Sequence, residues 1–201
     1  LSHEIGDRNM VHYKALERAV QYITQQFSAY GYQVQFHGYL LENKTAKNII
    51  VTKRGMRLPE ERIIVSAHYD SCFNPGADDN ASGVAALLEL ARSVVDHPLD
   101  RTVSFIAFVN EEPPYFKTEQ MGSRVYAKEV KARGETITSV IALEMLGKPR
   151  VSASQVVEGT GWVDCAHGRF PVPTAATLEI LGARGIAVTQ CDEPHELVTP
   201  T

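Results

Sequence analysis

Cysteine is scarce: Cys72, Cys165 and Cys191 are three in number and far apart, which excludes a disulfide framework. A basic excess is missing too. The 20 Lys and Arg stand against 24 Asp and Glu, a formal charge of -4, and no basic stripe marks a nucleic-acid surface. The longest apolar runs, such as 103–109, are strand-sized and far short of a membrane span. No signal-peptide pattern is visible from Leu1, where an initiator Met is absent, so the compartment stays open. What is present is ordinary for a soluble globular protein. Hydrophobic residues make up 44 % and charged residues 22 % of 201 positions, enough for one full domain, or for one domain plus an appendage.

Residues 10–30 read as an amphipathic helix, with Leu16, Val20, Ile23 and Phe27 at three- and four-residue steps and Gly31 as its stop. Residues 34–41 and 46–53 read as strands, the second through the β-branched run Ile49-Ile50-Val51-Thr52. A buried strand over 62–67, centred on Ile63-Ile64-Val65, delivers His68 at its end. The loop signal Asn74-Pro75-Gly76 precedes an Ala- and Leu-rich helix over 82–95. A strand over 102–109 delivers Asn110-Glu111-Glu112, a helix over 123–132 stops near Gly134, and a strand over 137–145 carries Glu144. Strands alternating with helices imply an α/β sheet with much parallel pairing, and such sheets gather sites at the carboxyl ends of their strands. All the acidic and histidine clusters fall there.

Their chemistry suits a divalent metal. Zinc accepts imidazole nitrogen and carboxylate oxygen, and a catalytic site keeps one position open. His68 offers the nitrogen, and Asp70, two residues on, is spaced to accept its other ring N–H and fix the tautomer. In Asp78-Asp79-Asn80, either Asp78 or Asp79 suits a bridging ligand, and Asp78 also suits a cap on the following helix. Consecutive side chains on a strand point apart. If the backbone turns there, one carboxylate of Glu111-Glu112 ligates while the other faces water as general base. The blander reading makes these clusters turns and solvated acid pairs, with Pro113-Pro114 ending the strand.

Five motifs in order resemble the M28 family of zinc aminopeptidases: His68-Tyr69-Asp70-Ser71, Pro75 to Gly83, Asn110-Glu111-Glu112, Met121-Gly122-Ser123 and Leu143-Glu144-Met145. The resemblance runs from about Gly6 to Gly147. It implies a three-layer α/β fold of the zinc exopeptidase kind, a mixed, mostly parallel sheet flanked by helices. It further implies that His68 binds one zinc, Asp79 bridges, Glu112 binds the other, Glu111 is the base, Asp70 orients His68, and Glu144 stands where many members carry a ligand Asp. The implied activity is removal of N-terminal residues from peptides. Glutaminyl cyclases share the fold, the His-x-Asp and the Glu-Glu motifs but use one zinc, so acyl transfer is the alternative. Asn80 after Asp79 and the Met121-Gly122-Ser123 motif favour the peptidase.

The family's last ligand histidine, expected far downstream, is absent after Gly147. Residues 157–201 instead resemble part of the nickel-insertion proteins of nickel-pincer cofactor synthesis, through Cys165-Ala166-His167-Gly168-Arg169-Phe170-Pro171, Ala176-Thr177-Leu178-Glu179 and Glu196-Leu197-Val198-Thr199-Pro200-Thr201. The expected layout is an incomplete, C-terminally truncated peptidase-like domain, 1–147, with an unrelated tail, 148–201. One zinc would then have His68, Asp79 and Glu144, and the second only Asp79 and Glu112, with His167 and His195 as the tail's candidates. A third reading is a defective fragment that binds metal or peptide without turnover. A sheet ending after Met145 exposes an edge, which the tail or a second copy of the chain must cover. Peptide is the expected partner, with no nucleic acid and no membrane. The family habit points to a secreted or periplasmic protein.

Overall fold

A computed structural model describes residues 1–147 and the strand segments Trp162–Cys165 and Gly168–Pro171. In chain order the elements are α1 (Tyr13–Ala29), β1 (Gln35–Leu41), β2 (Lys44–Lys53), β3 (Leu58–His68), α2 (Gly83–Val94), β4 (Arg101–Phe108), α3 (Gly122–Ala132) and β5 (Thr136–Ala142), then β6 and β7 at the two later segments. An irregular wide turn, Ala77–Ser82, leads into α2. The main sheet runs β1-β2-β4-β3-β5. β1 with β2 and β2 with β4 are antiparallel; β4 with β3 and β3 with β5 are parallel. The expected mixed sheet with flanking helices is present.

Period-two alternation divides the core. Ile49, Val51, Ile63, Val65 and Phe105 face Leu16, Ile23 and Phe27 of α1 and Val84, Leu87 and Ala91 of α2. Their sheet neighbours Ile50, Ile64 and Ile106 point the other way, against Tyr126 and Val130 of α3. That makes three layers. β3 is buried without interruption from Ile63 to His68, as a central parallel strand covered on both faces must be.

α1 starts at Tyr13 rather than Met10. Asn9 Oδ1 accepts the amides of Val11 and His12, both at 3.0 Å, and this side-chain turn holds the chain out of the helix until Tyr13. Met10 is buried from outside the helix, so its apolarity mimics a further turn of the stripe. At the other end Gly31 N donates to Ser28 O and Tyr32 N to Phe27 O, a Schellman stop with Gly31 at positive φ. β5 stops at Ala142 instead of continuing to Met145: Leu143 N donates to Ser66 O, and Met145 has φ 48, which turns the chain off the sheet.

His68 lies opposite Phe108, and Ser66 opposite Ala142, so β3, β4 and β5 end together. Everything of chemical interest sits on that rim. β7 lies against β5 and α3.

Candidate metal centre

His68 is the last residue of β3 and is 2 % exposed. Its Nε2 faces Asp79 Oδ1 at 2.9 Å, Glu144 Oε2 at 3.3 Å and Glu111 Oε2 at 3.8 Å. One donor atom each from His68, Asp79 and Glu144 lie within 4.8 Å of one another, the one such group of three among the described residues. A tetrahedral zinc with bonds of about 2.0–2.1 Å separates its ligand atoms by about 3.3 Å. The three donors are therefore of the right kind and near the right spacing for one cation. Three elements supply them: the end of β3, the wide turn before α2, and the turn after β5.

The electrostatics agree. Burial disfavours a charged His68, yet Glu144 first, then Asp70 and Asp79, outweigh it and hold the imidazole pKa well above its usual value. Glu112 is pushed up to about 7, by burial first and by the Asp79 charge second, with His68 opposing. Carboxylates crowded around one imidazole are what a bound cation relieves.

Asp70 Oδ1 lies 3.5 Å from His68 Nδ1, behind the ring, and the same carboxylate also accepts two backbone amides. Oδ1 accepts the amide of Glu111 at 3.2 Å and Oδ2 the amide of Glu112 at 3.0 Å. Buried, it fixes the backbone of the acid pair. Asn110, at φ 60, supplies the turn that breaks strand alternation just before that pair. Glu112 is brought to the same rim but stands outside the three-donor group. Asp78 does not cap α2: its Oδ1 takes the Gly147 amide, while the first amide of α2, on Gly83, goes to Asn80 Oδ1 at 3.0 Å. His167 and His195 lie outside the described residues.

Two supporting residues carry no signal in the sequence. Asn48, fully buried on β2, accepts the Val109 amide at 3.1 Å and donates to Gly122 O at 2.9 Å, tying the end of β4 to the start of α3. Arg8, also fully buried, donates to the carbonyls of Tyr69 at 2.6 Å, Pro75 at 2.7 Å and Gly76 at 3.1 Å. It knits the loop that separates His68 from Asp79. Gly76 sits in that loop at φ 58, where a Cβ would come within 2.5 Å of Asp79 O and Ser71 Cβ.

The sequence profile of peptidase family M28 matches residues 48–165. The uncharacterised protein YfbL of Escherichia coli is 35 % identical over 156 residues, which are 73 % of this chain and 47 % of YfbL. The aminopeptidase YwaD of Bacillus subtilis is 37 % identical over 120 residues, 59 % of this chain and 26 % of YwaD. A nickel insertion protein of Dictyoglomus thermophilum is 48 % identical over 67 residues, 33 % of this chain and 17 % of its own length. The chain thus spans about half, or less, of the length of these relatives. In fold it resembles a leucine aminopeptidase precursor of Bacteroides thetaiotaomicron (TM-score 0.60, 23 % identity, covering 72 % of this chain and 59 % of that one). A glutaminyl cyclase of Macrostomum lignano is similar in fold as well (TM-score 0.64, 20 % identity, 77 % and 53 % covered).

Proposed function

The chain belongs to peptidase family M28, and on that premise we propose that it is a zinc-dependent aminopeptidase that hydrolyses N-terminal residues from peptides. One observation carries this: His68, Asp79 and Glu144 converge on a single point of the sheet rim, with Glu111 beside them. Zinc held by those three side chains would supply Lewis-acid chemistry, polarising a scissile carbonyl and acidifying water. Glu111, its amide fixed by Asp70, would take a proton from water and return it to the departing amine. Asp79, Glu144 and Glu112 make the rim acidic, which attracts an unblocked, cationic peptide N-terminus and favours cleavage at that end.

A second reading, cyclase-like acyl transfer, is favoured by the single three-donor group among the described residues, which suits one ion. Product analysis separates the two, since cyclisation of an N-terminal glutamine expels ammonia without consuming water. The decisive assay supplies zinc and compares unblocked peptides with N-acetylated ones, in the wild type and in Glu111→Gln. The expected outcome is amino-acid release from unblocked peptides alone, reduced about 10²–10⁴-fold in the variant. Equal turnover in both proteins, or none in either, removes this mechanism.

A further inference from the structure

We propose that Asn80 is a positioning residue of the metal centre, holding Glu144 at the spacing from His68 and Asp79 that one cation needs; this rests on the zinc reading above. Glu144 lies beyond the end of β5. The β3–β5 ladder closes with the Leu143 amide on Ser66 O at 2.7 Å, and past that bond no strand geometry sets the path of the chain. Side chains of the 78–82 turn set it instead. Asn80 Nδ2 donates to Leu143 O at 2.8 Å, and Asn80 Oδ1 accepts the amide of Met145 at 3.3 Å. One side chain thus grips the residue before Glu144 and the residue after it. Ser82 Oγ takes the Leu146 amide at 2.9 Å and Asp78 Oδ1 the Gly147 amide at 2.8 Å, completing the grip.

The chemistry selects an amide at position 80. The side chain must donate to one carbonyl and accept from two amides, on Met145 and Gly83, in one plane. Aspartate accepts but has no donor, and would add a buried charge beside Asp79 and Glu144. Asn80 is fully buried, so water does not substitute for a missing partner. A Cβ at Gly83 would overlap both Asn80 Oδ1 and Leu143 O, so the close approach of α2 to this grip needs glycine. Asn80 also follows Asp79 directly in the chain.

The test is zinc affinity, measured on the whole chain by competition with a chromophoric chelator. Loss of a partner that orients a metal-ligating side chain weakens metal binding about 10–100-fold, and that loss is expected for Asn80→Asp. In a Glu144→Ala background the same substitution is expected to change affinity by no more than about twofold, because its effect passes through Glu144. A merely structural role would give the same loss in both backgrounds, and that result, or an affinity unchanged or raised in the single variant, overturns the proposal. If Asn80→Asp does not fold, Ser82→Ala carries the same cycle, with a smaller loss that must also vanish without Glu144. A wild type that binds no zinc would overturn the metal centre itself, an outcome distinct from wild-type binding that Asn80→Asp leaves untouched.

Discussion

The antiparallel and parallel halves of the main sheet solve different problems. β1 and β2 form a hairpin whose two turn residues, Glu42 at φ 48 and Asn43 at φ 63, both have positive φ, as a type I′ turn requires. Its outer strand leaves Phe36 52 % and Leu40 76 % exposed. β4, β3 and β5 run parallel, and β3 is buried on both faces from Ile63 onward. Parallel strands need crossover connections, which gather several chain turns at one rim, whereas a hairpin returns on itself within two residues. Chemistry collects on the half whose connections must meet. The hairpin serves that half at a distance, through Asn48 on β2.

The largest stability contrast tests this division. Ile64, on β3, is packed against α3 in the second core cluster, and Ile64→Ala is expected to cost about 2–5 kcal/mol. Leu40→Ser, on the exposed face of β1, is expected to stay within about 0.5 kcal/mol. Urea denaturation of both variants in metal-free protein measures the two values. Equal losses would mean that the β1 face is covered in the native protein, and the contrast would fail.

A smaller effect comes from pH. The Glu112 pKa is raised from 4.5 to about 7 in the folded chain, by burial first and by Asp79 second. A raised carboxylate contributes stability that is fully present below the unfolded value and is lost as pH climbs through the folded value. Metal-free protein should therefore lose thermal stability between about pH 4.5 and 7 through this group. Glu112→Gln should flatten that slope and melt higher than wild type at pH 8. Zinc, by offsetting the carboxylate charges, should shrink the difference. An unchanged slope in the variant would assign the pH dependence to other groups and leave the rim no more strained than the hairpin.

The parts legible in the sequence are those with a local signature. Ile63-Ile64-Val65 announces a buried strand, so the place of His68 at its end can be read directly, and the apolar run 103–109 does the same for Glu111. Arg8 and Asn48 cannot be read, because their partners lie 61 and 74 residues away at Tyr69 and Gly122. No periodicity encodes such contacts. Met10 misleads because a buried residue ahead of α1 continues the helical stripe. Asp78 misleads because an acid before a helix suits a cap, and only the folded chain shows the Gly147 amide competing for it. The end of β5 is overestimated for a related reason: the apolar pattern continues through Leu143, but the last ladder bond is that residue's amide on Ser66.

The smallest expected effect sits in the hairpin turn and sharpens the comparison most. Asn43 holds φ 63, a conformation that asparagine tolerates and glycine adopts freely. Asn43→Gly removes residual strain but gives the unfolded chain more freedom, and the two effects nearly cancel, within about 0.5 kcal/mol. Zinc affinity should not change. The neighbouring position gives the result its force, because Glu42 hydrogen-bonds Tyr115 and raises that phenol's pKa further, after burial. Tyr115 lies three residues past Glu112 on the loop that leaves the rim. A hairpin that merely packs will absorb Asn43→Gly without trace at the metal. Altered zinc affinity in Asn43→Gly would mean that the turn reaches the acid pair through Glu42 and Tyr115. The antiparallel half would then belong to the site rather than only support it.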